Sequence, residues 1–425
     1  MNHMTNDFNI IEFAGLSEER PWELQQPTPT DVRAVVVGTE LPAVENITQA
    51  LATYVGVAIE AEAVDPPSED IPWATRVRIE GLPTDCILWV EPLNEQAREA
   101  AEIESGYVLA LQTVLHSGDP LTHFSNLMRL LAGADLGVHS ICDLPTGRWF
   151  PHDILEQVFV QDDVEPPEEI LWITRLVEAP EDSEPEERWA WISTHGLTRC
   201  GRAELEMFGV CAIYASEAVH IVDGLAALTL ETSLPPVGQP MSLGSNLLVS
   251  LMSCKDALGM LTDEMPGLED RNTPSVAICS SDATTVYPLD ALITLHQGET
   301  AVIRTLRSTE RSAKLAQDNW ELLLTTATRI GDNEHAGCMV QVPWAQAEDE
   351  EAPREYLWFR IIEVNGEEVV GELAHEPDLV KTLSEGQKET IEKADVTDWV
   401  LMTPVGPMGP ADAKAITEFL EQFNN

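Results

Sequence analysis

The densest run of chemically able side chains is Thr194-His195-Gly196-Leu197-Thr198-Arg199-Cys200-Gly201-Arg202-Ala203-Glu204-Leu205-Glu206. A histidine and two arginines on a glycine-punctuated turn can gather an anion, and Glu204 can orient or neutralise them. His195 with Glu204 and Arg199 would serve a hydrolase or transferase if the three converge. The same residues also make a plain structural turn. In that case Gly196 and Gly201 take positive φ, His195 satisfies backbone groups, and Arg199 pairs with Glu204 or Glu206. The turn is the simpler expectation; binding by His195, Arg199, Arg202 and Glu204 comes next and catalysis last.

Elsewhere the chemistry is sparser. His116 and His123 have a spacing that suits a metal on one helix face, but Gly118-Asp119-Pro120 breaks a helix between them. No other paired ligands stand out, so no metal site and no cofactor is expected. The sequence has no phosphate-binding glycine loop, nucleophile elbow, zinc-protease helix motif or Cys-x-x-Cys. The cysteines number 7, an odd count, and no two lie within ten residues, so a disulfide framework is not expected. Among the 11 tryptophans, Trp172, Trp189 and Trp191 sit in strand-like runs and read as core. Trp358 and Trp399 are the two that could line a groove.

Elements that would hold these residues follow from pattern. Arg33–Gly38 reads as a strand, 46–54 as a helix, and 55–63, 76–80 and 86–90 as strands. The Ala-, Glu- and Leu-rich stretch 95–115 predicts one long helix. Asp119 as cap, Pro120 in the first turn and Gly133 at the end mark the next helix, with Leu121, Phe124, Leu127, Met128 and Leu131 on its buried face. Residues 136–141, 170–177 and 188–193 read as strands, and 178–187, with six carboxylates, as a solvated loop joining the last two. Helices are expected over 152–159 and, after Ser216 as cap, over 217–231, with a largely helical stretch over 300–330. Short turn-separated strands follow after 336, with Asn365-Gly366 as a two-residue hairpin signal, and a helix over 411–423 closes the chain.

The chain has 425 residues, with 73 acidic against 24 basic side chains, a formal net charge of −49. Residues 1–110 hold 20 acids and 5 bases, 336–425 hold 19 and 6, and the middle holds 34 and 13. The charge is therefore a property of the whole surface, with self-repulsion that salt weakens. It disfavours nucleic acid, whose phosphates need clustered Lys and Arg. No signal-peptide pattern opens the sequence, and no run reaches the roughly 18 apolar residues of a membrane span, so the cytoplasm is expected and no membrane partner. Hydrophobic residues make up 44 %, enough for buried cores. Strands and helices without steady alternation predict an α+β fold. We expect an α+β region over 1–335, with two lobes jointed near 232–275, and a small β-rich, barrel-like domain over 336–425.

Residues Met339-Val-Gln-Val-Pro-Trp344, Glu355-Tyr-Leu-Trp358, Gly371-Glu-Leu-Ala-His-Glu-Pro377, Leu383-Ser-Glu-Gly386 and Val396-Thr-Asp-Trp399 occur in the order seen in the YegJ-like family, a bacterial domain of unknown function. The stretch 337–402 resembles that family, departing from it at Gln387-Lys-Glu-Thr390. The resemblance implies a compact barrel-like module with Trp358 and Trp399 in its core, and implies no reaction. Gly133-Ala-Asp-Leu-Gly-Val-His139, Gly147-Arg-Trp-Phe-Pro151 and 194–206 are more distantly similar to uncharacterised bacterial proteins carrying such a domain, and in part to immunity-type proteins that neutralise toxins. The combined expectation is a non-catalytic protein that binds a protein or small ligand, with an immunity or stress association. A hydrolase or transferase using His195, Glu204 and Arg199 is the alternative.

Overall fold

The computed structural model describes residues 22–160, 164–178, 189–244, 246–261, 273–298, 302–331, 336–345, 354–404 and 406–422. Residues 1–21 and, of the acidic stretch expected as a loop, residues 179–187 lie outside them. The chain divides into two compact units, Met1–Thr305 and Leu306–Asn425.

The first unit opens with β1 (Thr30–Val37), α1 (Val44–Val55), β2 (Glu60–Val64), β3 (Ala74–Arg78), β4 (Cys86–Pro92), α2 (Glu95–Ala101) and β5 (Gly106–Thr113). It continues with α3 (Pro120–Gly133), β6 (Val138–Asp143), β7 (Arg148–Pro151) and α4 (His152–Leu155). The strands form one antiparallel sheet in the order β2-β3-β4-β5-β1-β6-β7. Val32, Ala34 and Val36 of β1 point to the face covered by α1 and α3, where Ile47, Leu51, Leu121, Phe124, Leu127 and Met128 complete the core. The other face carries smaller clusters, Val35 and Val108 under Ala97 and Ala101 of α2, and Trp89 with Ala74 and Ala110.

Local chemistry sets most boundaries. Asp119 accepts a hydrogen bond from the Thr122 amide and Pro120 occupies the first turn of α3, as its sequence predicts. The helix expected over 95–115 is instead two elements. Asn94 caps α2 and Glu102 ends it in the left-handed region. From Gly106 the chain becomes β5, which lies between β1 and β4 at the centre of the sheet. Both faces of β5 are buried, so Tyr107-Val-Leu-Ala-Leu111 shows no alternation that would have marked it as a strand.

The second sheet of this unit contains β8 (Ile173–Glu178), β9 (Trp189–His195), β10 (Glu204–Cys211), β11 (Met241–Ser242), β12 (Leu248–Ser253) and β13 (Ser275–Ser280), in the order β11-β12-β13-β10-β9-β8. Only β10 and β13 run parallel among its pairs. Between β10 and β11 lies α5 (Ala215–Glu231), which begins before Ser216 and has no side-chain cap. Its residues Ala218, Ile221, Val222, Leu225 and Ala226 are buried in the same cluster as the α3 side of the first sheet. Helix α6 (Cys254–Met260) covers the opposite face, against Trp191, Phe208 and Met252, and α7 (Leu289–His296) packs near α5. The region expected as a joint, 232–275, thus supplies β11, β12 and α6 to this sheet.

The second unit begins with α8 (Leu306–Asp318) and α9 (Trp320–Ile330). It continues through β14 (Gly337–Ala345), β15 (Arg354–Asn365), β16 (Glu368–Leu373), β17 (Lys388–Ile391), β18 (Asp398–Thr403), β19 (Gly406–Met408) and α10 (Ala413–Gln422). The unit boundary therefore falls at 305/306 and not at 335/336. The reason is packing: Ala316, Trp320, Leu323 and Ile330 share a core with Val340, Leu357, Phe359 and Leu401. The described strands form an antiparallel sheet in the order β17-β16-β15-β14-β18-β19. Its end strands, β17 and β19, are not paired to each other, so the described residues form an open sheet and no closed barrel. The hairpin expected at Asn365-Gly366 forms one residue on: Asn365 still pairs with Glu368, and Gly366, at φ 69°, and Glu367 make the two-residue turn.

Gly106 supplies a test of the central strand. A Cβ there would lie 2.3 Å from the Val36 carbonyl oxygen, a backbone atom that cannot swing away. Gly106→Ala should lower unfolding stability by about 2 kcal/mol or more, read from chemical denaturation. Gly337→Ala, with nothing within 4 Å of the added carbon and, like Gly106, no positive φ, is the control for the substitution alone.

Candidate functional site

The 194–206 segment is the connection between β9 and β10. The two strands pair with Glu206 opposite Ser193, and residues 197–200 form a single tight helical turn between them. Gly196 sits at φ 126°, where a Cβ would come 2.4 Å from the Leu171 carbonyl oxygen, and Gly201 closes the turn at φ 74°. Both glycines are required by conformation.

Glu204 serves this turn. Its carboxylate accepts hydrogen bonds from Thr194 Oγ1 at 2.7 Å, the Gly196 amide at 2.9 Å and the Thr198 amide at 3.2 Å, and it is buried. Burial pushes its carboxyl above the ordinary range, an effect that these donors partly offset.

Arg199 points away from Glu204, and its expected pairing with Glu204 or Glu206 is not what holds it. Nη1 meets Asp143 Oδ1 at 2.6 Å, with both side chains fully buried. Nε and Nη2 donate together to the Leu171 carbonyl at 3.1 and 2.7 Å, and the guanidinium lies 4.7 Å from the centre of the Phe124 ring. The other Asp143 oxygen accepts from Thr146 Oγ1 at 2.5 Å. The pair thus has several further hydrogen-bond partners, which is what a buried ion pair needs to offset its desolvation.

Arg202 turns a third way. Its Nε donates to the Thr229 carbonyl at 2.7 Å and Nη2 lies 3.7 Å from Glu23. With Trp22, Leu205 and Leu234 it lines a small cleft that has room for about one water molecule. His195 is half-buried, with Nε2 at 3.3 Å from Ser193 Oγ. Burial, and then the charge of Arg175, lower its pKa to about 4, so it is neutral at neutral pH. Among the described residues no hydrogen bond or ion pair links His195 to Arg199 or Glu204. The four side chains share a turn and diverge from it.

Trp358 and Trp399 do not form a common groove. Gln341 of β14 is opposite Trp358, and its neighbour Val340 is opposite Trp399, so the two rings project from opposite faces of the sheet. Trp399 is 1 % exposed and donates from Nε1 to the Ala316 carbonyl at 3.1 Å. Trp358 is half-buried on the other face, so only Trp399 lies in the core.

His116 and His123 are also joined differently. The His116 amide donates to His123 Nδ1 at 3.0 Å, and His123 Nε2 is buried with no hydrogen-bond partner among the described residues. The described residues contain no group of three or more His, Cys, Asp or Glu arranged to hold a metal.

A second buried carboxylate escaped the sequence reading. Glu206 accepts from Trp191 Nε1 at 3.0 Å and from Ser275 Oγ, and Cys254 Sγ lies 3.9 Å away. These residues come from β9, β10, α6 and β13, with no linear spacing to announce them. Asp223 likewise holds Trp172 Nε1 at 2.9 Å and Thr174 Oγ1 at 2.5 Å.

Two predictions follow from this geometry. Arg199→Met should cost about 3–5 kcal/mol, because it leaves Asp143 charged and buried, whereas Arg199→Met with Asp143→Asn should cost clearly less than the two single losses together. Denaturation of the four proteins checks it. His123 should make stability depend on pH. Burial holds its folded pKa near 4 against the ordinary 6.5. The unfolded chain therefore binds the proton first, and stability should fall as pH drops from about 6.5 towards about 4, by up to about 3 kcal/mol. His123→Gln should remove His123's share of that fall and leave the share of His195, which is lowered to about 4 in the same way; an unchanged slope would place the titration elsewhere.

Residues 305–420 match a family described as "Uncharacterized protein conserved in bacteria (DUF2314)", nearly the whole second unit. Residues 177–279 match "Protein of unknown function (DUF4026) C-terminal", which takes in β9 to β13 and the turn with its four candidate residues. No curated protein and no solved structure matches the chain. The two matches together support kinship with an uncharacterised bacterial family.

Proposed function

We propose that this chain is a non-catalytic binding protein of the bacterial cytoplasm that recognises a protein or small ligand, and that it has the immunity- or stress-associated role its distant likeness implies. Nucleic acid and membrane are not its partners on this proposal. The supporting observation is where the reactive-type groups spend their hydrogen bonds. Arg199 donates to Asp143 and to the Leu171 carbonyl and lies against the Phe124 ring, and Glu204 accepts from Thr194 and two turn amides. A hydrolase or transferase would need these groups to meet His195 over a shared concavity. They point in different directions. The net charge of −49 adds selectivity, since it repels polyanions at long range and draws cationic surfaces in.

The test sets the purified full chain against aryl ester, phosphate monoester and glycoside substrates, beside His195→Ala and Glu204→Gln. The expected result is no turnover that depends on these residues, with Glu204→Gln less stable than the parent. Turnover abolished by His195→Ala in a protein that unfolds like the parent would overturn the proposal in favour of the enzyme.

A further inference from the structure

One face of the second unit's sheet is covered by its own helices, through Val340, Leu357, Phe359, Trp399 and Leu401. The opposite face is formed by the alternate residues, among them Met339, Pro343, Tyr356, Trp358, Val400 and Met402. Tyr356 is 43 % and Met402 46 % exposed. A solvated face of an antiparallel sheet is ordinarily polar, so this one is unusually apolar. From the register, Lys388, Glu372, Arg360, Met339 and Val400 form one row across five strands, with Trp358, Gln341 and Asp398 in the next.

We propose that this face is where two copies of the chain associate. The first argument is charge. The face carries Arg354, Arg360 and Lys388 against Glu372, Asp398 and, towards the hairpin end, Glu363 and Glu368. Three cations against four acids is close to balance, in a chain with 24 against 73. Two copies at −49 repel over most of their surfaces, and a locally neutral, apolar face lets them meet. The signs are also spread across the face. Glu372, paired with Arg360 at 2.5 Å, lies on the same side as Lys388, and Asp398 lies apart towards β19, so a two-fold axis along the strands lays the Lys388 side of one copy against the Asp398 side of the other, as an isologous interface allows. The second argument is area. Six strands about 4.8 Å apart, over a paired length of roughly 23 Å, give a face of roughly 600 Å² before side-chain relief, close to the roughly 800 Å² per partner of a stable interface. Trp358 and Tyr356 lie within it, and Trp and Tyr are residue types that commonly dominate binding.

Sedimentation velocity of the full chain over a concentration series tests the proposal. The expected result is a monomer–dimer equilibrium strengthened by moderate salt, because salt screens the general repulsion. Arg360→Glu changes an exposed side chain, 63 % accessible and ion-paired with Glu372 within the sheet, and should weaken the dimer by about tenfold or more with only a small loss of unfolding stability. Tyr356→Ser with Trp358→Ser should abolish it. A chain that stays monomeric at every concentration overturns the proposal. So does a dimer indifferent to Arg360→Glu, which would place the contact elsewhere even if the double variant failed to fold.

Discussion

The guanidinium of Arg199 lies where three remote stretches of the first unit meet. It reaches 56 residues back to Asp143 at the end of β6, and 28 back to the Leu171 carbonyl just ahead of β8. Its own position comes from the tight turn after β9. One side chain thus ties the first sheet, the segment that leaves it and the second sheet into a single buried junction. Gly196 sits against Leu171 so closely that no side chain could be carried there. The fork can span its partners only because that approach is so tight.

This junction decides what the turn can do. A cation at a strand end usually suggests an anion site, but this fork is fully buried and directs its donors to the Asp143 carboxylate and the Leu171 and Ile170 carbonyls. Glu204 is committed in the same way to the amides that the turn leaves unpaired. The polar residues that look most like machinery hold β9 and β10 to their neighbours. They are close in sequence because they share one turn.

The sequence was most legible where a signal is local and chemical. Asp119-Pro120 starts α3 and Gly366 turns its hairpin because capping and positive φ act over two or three residues. It was least legible where burial removes the pattern. Residues 106–113 lack alternation because both faces of β5 are covered, and beside the genuine helix α2 they read as its continuation. The unit boundary failed for a related reason: α8 and α9 follow the first region in sequence but bury Trp320 and Leu323 under the third sheet. Among the candidate site residues, Gly196, Gly201 and Glu204 carry the turn that their order implies. Asp143, Leu171 and Thr229, the groups that Arg199 and Arg202 seek, are 27 or more residues away, and nothing in local spacing points to them.

The scarcity of cations explains the style of these interiors. With 73 acids and 24 bases, most carboxylates of the chain cannot have an ionic partner of their own. Glu204 is held by a hydroxyl and two amides, Glu206 by Trp191 and Ser275, Asp223 by Trp172 and Thr174. Glu355 follows the same rule at the edge of the third sheet. Burial raises its carboxyl, but amide bonds from Val380, Asp378 and Leu379 outweigh that, and the net shift is downward. Neutral donors avoid burying a second charge, and indole and hydroxyl groups bring apolar surface with them. Several of the chain's tryptophans then serve as hydrogen-bond donors to acids as well as core. Asp143, fully buried at the junction of the two sheets, is given an arginine where a single side chain must reach several partners at once, and a guanidinium has the directed donors to do so.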